Sequence, residues 1–250
     1  MTAVTVHPML QAFASGRLFG TAHGSRTPWV LALHGWRRDH HDFDATLDGL
    51  DALALDLPGF GATPPPDTGW GAADYAAAVA PVLDEMPGSV VVLGHSFGGR
   101  VAVHLAASRP DAIKALVLTG VPLIRRPGSG KPTLSFRVAR ALHKRGVVSD
   151  ARMEELREKH GSADYRAAKG VMRDVFVRVV NESYEEQLRA VRCPLELVWG
   201  EDDTEAPIAV AEQAAAIVPG ATLTRLPGAG HLTPTTAPDA LRDALLRHQP

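Results

Sequence analysis

The sequence has a single cysteine, Cys193, in 250 residues. No internal disulfide framework is possible. A thiol that precedes Pro194 and an apolar run reads as a buried structural group, not as a nucleophile. Long apolar stretches are also missing. Nowhere do about 18 apolar residues run together, so no transmembrane helix is expected. The start, Met1-Thr2-Ala3-Val4-Thr5-Val6-His7-Pro8, has no basic cluster followed by an apolar core. No secretory signal is read there, and a cytoplasmic protein is expected. Charge of one sign is absent too. With a net charge of −2, there is no basic field to draw nucleic acid or an anionic membrane surface. Internal repeats and low-complexity tracts do not occur.

What is present is a chain that is 45% hydrophobic, long enough for one large core with a small accessory unit. A monomer or homodimer acting on a small molecule fits these bounds. Short apolar runs recur at residues 29–33, 52–55, 90–93, 115–118, 195–199 and, more weakly, 222–226. Helical patterns lie between them at 72–86, 99–108, 208–218 and 238–247. Continuous apolar strands alternating with helices predict a mostly parallel sheet covered on both faces. Residues 4–22 are expected to add antiparallel edge strands. The alternation stops between Val121 and Gln187, where helical stripes are predicted at 133–145, 151–159 and 164–180. Ser183-Tyr184-Glu185-Glu186 matches a capping box, so a further helix is expected to start there. The division that follows is a core of 1–121 and 188–250 with a helical cap insert at 122–187. Packing of the same stripes on the main body is the alternative placement.

Gly94-His95-Ser96-Phe97-Gly98-Gly99 lies between an apolar strand and a helical pattern. A serine between two glycines at such a junction is the signature of a nucleophile elbow, a sharp turn that lifts the side chain clear of the backbone. The flanking glycines are required where the helix crosses the strand and a Cβ would collide. A serine hydroxyl is a poor nucleophile at neutral pH, so it needs a base within hydrogen-bond reach and an acid to orient that base. Among eleven histidines, His231 in Gly228-Ala229-Gly230-His231 is the best placed, in a loop after the last strand. His95 adjoins the serine on a tight turn and is expected to point away from it. His34 reads as structural, and His104, inside the helix after the elbow, as packing. His40 and His41 read as a surface loop without metal-ligand spacing. The acid should follow the penultimate strand, in Gly200-Glu201-Asp202-Asp203-Thr204-Glu205. Asp203 is preferred and Asp202 is second, with Glu201 and Glu205 as solvated charges. An oxyanion needs preorganised N–H donors. The backbone N–H groups of Phe97 and Trp36 are assigned to it, the latter from Leu33-His34-Gly35-Trp36.

In family order, His34-Gly35-Trp36, Asp56-Leu57-Pro58-Gly59-Phe60-Gly61, the elbow, Gly200-x-x-Asp203-x-x-x-Pro207 and Gly230-His231 resemble the α/β-hydrolase superfamily, in its small cap-bearing members. The resemblance implies a serine esterase or carbon–carbon hydrolase without metal or organic cofactor. It makes the loop from Asp56 to Gly61 structural and places a cap after the strand that follows the elbow. Serine at 96 departs from the relatives that use an aspartate nucleophile to open epoxides or cleave haloalkanes. Thr204-Glu205 is more polar than the resemblance leads one to expect.

The predicted activity is cleavage of a small ester or related acyl compound by Ser96, His231 and Asp203. Carbon–carbon, thioester or lactone cleavage by the same three residues is the alternative. A ligand-binding protein on the same fold is the rival from another class. The sequence names no substrate-binding residue. One feature bears on the substrate: seven basic residues, Arg125, Arg126, Lys131, Arg137, Arg140, Lys144 and Arg145, occur with no acid between Val121 and Ser149. Such a run is usually a solvated face, and it could also attract a carboxylate.

Overall fold

The computed structural model describes residues 9–125, 138–139, 141–143, 145–160 and 162–250. Eight strands form one sheet: β1 (Leu10–Phe13), β2 (Leu18–His23), β3 (Val30–Leu33), β4 (Ala52–Asp56), β5 (Val90–His95), β6 (Ile113–Thr119), β7 (Leu195–Gly200) and β8 (Thr222–Leu226). Their spatial order is β1-β2-β4-β3-β5-β6-β7-β8. β1 and β2 are the antiparallel edge expected for the first residues. Every pair from β4 to β8 is parallel.

The central strands are apolar on both faces because both faces are covered. Leu31 and Leu33 pack into one core, while Val30 and Ala32 pack into the other. On the first face lie α2 (Ala72–Glu85) and α3 (Phe97–Ser108), followed later in the chain by α7 (Glu185–Ala190) and α8 (Ile208–Ile217). On the second lie α1 (Asp44–Leu47) and α9 (Pro238–Leu246), through Leu47, Leu241, Ala244 and Leu245. β8 is an edge, largely exposed, and carries Arg225. A charge of that kind blunts pairing with other chains.

The segment between β6 and β7 holds α4 (Asp150–His160), α5 (Ala163–Ala167) and α6 (Val171–Val179) before α7. The stripe predicted at 164–180 is thus two helices. Gly170, at φ +52°, breaks it by turning the chain through a region that favours glycine. A helix does begin after Ser183, but Tyr184 is its N-cap and no side chain caps it. The Ser183 hydroxyl instead accepts from the Arg125 N–H at 3.5 Å. Most of the stripe predicted at 133–145 lies outside the described residues. Val175, Val179 and Leu188 from this segment join the main core. No helix among the described residues is long and apolar enough to cross a membrane.

Candidate active site

Parallel strands deliver their following loops to one edge, and ligands gather where neighbouring loops part. β3, β5, β6, β7 and β8 are consecutive in the sheet, so the loops after them converge. After β5 the chain turns sharply at Ser96, which sits at φ +48°, ψ −110°. A Cβ on Gly94 would strike the backbone of Gly99, and one on Gly98 would strike the Leu33 carbonyl. The elbow therefore brings α3 against β5 and the end of β3. The Gly98 N–H donates to the His34 carbonyl at 3.0 Å and holds the two loops together.

Ser96 Oγ lies 3.0 Å from Nε2 of His231, and Nδ1 of His231 lies 2.9 Å from Oδ2 of Asp203. Ser96, His231 and Asp203 are 135 and 28 residues apart along the chain in successive pairs, and the strand order alone unites them. Asp203 is buried, at 3% exposure, and its other oxygen, Oδ1, accepts the N–H groups of Glu205 and Ala206 at 2.9 and 2.8 Å. Those two bonds fix the carboxylate plane. Oδ2 then faces the imidazole, which must donate from Nδ1 and accept at Nε2. The arrangement can take a proton from Ser96. Asp202 is exposed and plays no part in this chain of bonds.

Burial works to lower the His231 pKa. The Asp203 hydrogen bond and charge, with Glu205 and Asp164 behind them, outweigh it and raise the pKa above the ordinary value. Glu205 was expected as a solvated charge. Its side chain is 65% exposed, yet Oε2 stands 3.4 Å from Nε2 of His231. The acid that departs from the resemblance therefore faces the base.

His95 does turn away from Ser96, as expected, but it is not idle. Nε2 donates to the His231 carbonyl at 3.0 Å, which ties the end of β5 to the base loop. Burial and the neighbouring His231 hold its pKa down, to about 3, so it stays neutral. His34 is structural: Nδ1 donates to the Gly35 carbonyl at 2.8 Å and Nε2 accepts the Leu57 N–H at 2.9 Å. His104 packs edge-on against Tyr184.

His40 corrects the surface-loop reading. It is buried, and its backbone N–H and Nδ1 both reach Oδ1 of Asp56, at 2.9 and 2.8 Å. Asp56 also accepts the Ala62 N–H, which makes 56–61 a structural loop. Asp39, His40 and His41 bring one donor atom each within 4.8 Å of one another, a proximity their spacing did not suggest. Cys193 is half-buried, and burial raises its pKa.

Above Ser96 is a cavity of about 650 Å³. Trp36, Phe97 and Phe176 form an aromatic wall, with centroids 5.4 Å (Trp36–Phe97) and 5.1 Å (Trp36–Phe176) apart. Phe176, Val179, Val180 and Asn181 belong to the segment between β6 and β7, so that segment supplies one wall. The N–H groups of Trp36 and Phe97 have no acceptor among the described residues.

Arg100, one of three arginines that line the cavity, went unnoticed in the sequence. The signal was available: it is a charged residue one turn after Ser96 in a helix otherwise made of glycine, alanine, valine and phenylalanine up to His104.

A parallel sheet that offers a serine from an elbow, an acid from the penultimate strand and a histidine from the last loop defines a class of proteins by its frame. The chain belongs to the alpha/beta hydrolase family, whose model matches residues 30–244. It is similar to the esterase Rv0045c of Mycobacterium tuberculosis, 36% identical over 118 residues, a match spanning 46% of this chain and 40% of that one. The hydrolase YugF of Bacillus subtilis is 27% identical over 239 residues, covering 86% of this chain and 87% of its own. Among solved structures, a hydrolase from Pseudomonas aeruginosa shares the fold with a TM-score of 0.71, at 22% identity, covering 98% of this chain and 99% of the other.

Proposed function

We propose that this protein is a serine hydrolase that cleaves a small ester or related acyl compound through an acyl-enzyme on Ser96. The observation that carries the reading is the hydrogen-bonded relay Ser96–His231–Asp203, at 3.0 and 2.9 Å. Ser96 Oγ bonds to the acyl carbon while Nε2 of His231 takes its proton. The oxyanion of the tetrahedral intermediate is held by the N–H groups of Phe97 and Trp36, at the positive end of α3. Collapse breaks the bond to the leaving oxygen, which receives the proton from His231. Water then attacks the acyl-enzyme, gives a proton to His231, and the acid leaves with Ser96 restored. Residues 122–187 serve as the cap, since their helices close one side of the cavity.

A fluorophosphonate probe tests the reading directly. Stoichiometric labelling at Ser96, located by mass spectrometry, is expected. An unlabelled protein would overturn the reading in favour of a ligand-binding protein on this fold.

The acid limb of the pH profile follows from the site. His231 acts only when neutral, so activity is lost as pH falls through its raised pKa. Asp203, Glu205 and Asp164 all favour the imidazolium. Glu205→Gln removes one of these charges and leaves Asp203 in place. Its limb in kcat/KM is expected at lower pH than that of the native protein. An unmoved limb would show that the Glu205 charge is not felt at Nε2.

A further inference from the structure

Three arginines near Ser96, Arg38, Arg100 and Arg125, can be sorted by their partners. Arg38 is bonded to Asp42. Arg100 and Arg125 also line the cavity, and among the described residues neither has a carboxylate within 4 Å. Arg100 is 9% exposed. Its Nη1 donates to the Val179 carbonyl at the end of α6, its guanidinium lies 5.8 Å from the Tyr184 ring centre, and its buried Nε has no partner among the described residues. A guanidinium has five donors, and burying that charge without an anion is costly. The two acids that line the cavity are engaged by other cations, Glu205 by His231 and Asp164 by Arg37, each at 3.4 Å. Glu182, outside the lining, is held by the Tyr184 hydroxyl at 2.8 Å, the Ala72 N–H at 3.2 Å and Arg178 at 3.9 Å. Arg125 stands on the same side and donates to Asn181 Oδ1 at 3.3 Å.

From this we infer that Arg100, assisted by Arg125, forms a subsite for a carboxylate carried by the substrate at a distance from the bond that is cleaved. The inference rests on the hydrolase reading and deepens it to a substrate class, half-esters of dicarboxylic acids and their acyl analogues. Arg100 follows Ser96 by four residues, about 6 Å along the axis of α3. The carboxylate is therefore separated from the reacting carbonyl by a short run of methylene groups, which the aromatic wall of Trp36, Phe97 and Phe176 would cover. The planar fork of arginine suits a carboxylate in two-point contact, which an ammonium group does not reproduce.

The test compares kcat/KM for monomethyl esters of dicarboxylic acids with four to eight carbons against methyl esters of monocarboxylic acids of matching length. The native protein is expected to prefer the anionic ester of one length over its neutral match. In Arg100→Met the anionic-to-neutral ratio is expected to fall by about 10- to 100-fold, mainly through KM. Arg100→Lys should retain part of the preference, and Arg125→Met should lose less of it than Arg100→Met. A preference of the native protein for neutral esters would overturn the inference. So would an Arg100→Met ratio equal to the native one, with both activities reduced alike, because that marks a tie between α3 and α6 only. Should Arg100→Met fail to fold, the Arg100→Lys and Arg125→Met ratios decide by the same criterion. Binding of monomethyl adipate to Ser96→Ala, measured by calorimetry with and without Arg100→Met, separates the two readings. If neither ester is cleaved by the native protein, the hydrolase reading fails, and the subsite stands only if Arg100→Met abolishes that binding.

Discussion

Ser96→Ala is expected to lower turnover of an activated ester such as nitrophenyl acetate by ~10⁴-fold or more, the scale on which nucleophile removal acts in relays of this kind. At 1.36 kcal/mol per decade this is about 5.4 kcal/mol of barrier. The substitution isolates chemistry from structure. Alanine keeps the Cβ, so the backbone at φ +48° meets the same neighbours as before. His231 keeps its bond to Asp203 and its carbonyl bond to His95. The variant should therefore fold, with a thermal midpoint near that of the native protein, and should still bind substrate. Undiminished turnover in a folded Ser96→Ala protein would sink the serine mechanism.

Asp203→Asn is the second large effect, expected at ~10³- to 10⁴-fold in kcat because the base is left in the wrong tautomer. The direction is dictated by the surroundings of Asp203. Oδ1 accepts two backbone N–H groups, from Glu205 and Ala206, so the asparagine oxygen must occupy that position. Its NH₂ group is then forced toward Nδ1 of His231. That nitrogen has to accept, which places the proton on Nε2 and leaves nothing to receive the hydrogen of Ser96. Fluorophosphonate labelling should slow in parallel with turnover, while KM changes little. Asp202→Asn, one residue earlier in the chain and exposed, should behave as the native protein does. Equal losses at the two positions would remove Asp203 from its role.

The strands were readable because each central one is a short apolar run, and such runs survive only where both faces are buried. The elbow was readable because its glycines, serine and flanking strand are contiguous. Asp203 and His231 could be placed by their position after β7 and β8, since a parallel sheet sends both loops to one edge. The pattern of side chains failed where a single residue overrules periodicity. The stripe at 164–180 has helical spacing throughout, yet Gly170 divides it into α5 and α6. Ser183 has the right neighbours for a cap and spends its hydroxyl on Arg125. Contacts made across the chain left no local trace. His95 meets the carbonyl of a residue 136 positions away, and His40 meets Asp56 across 16. Glu205 resembled its solvated neighbours until the turn around Asp203 aimed it at the imidazole.

The backbone at Ser96 has a consequence for anyone who tries to harden this molecule against heat. A non-glycine residue in such a conformation carries a penalty of about 1–3 kcal/mol, which glycine would relieve. Selection for melting temperature alone would favour glycine at position 96 and return an inert scaffold. Thermal robustness and turnover compete here at one pair of torsions, so gains in endurance have to be sought elsewhere in the chain.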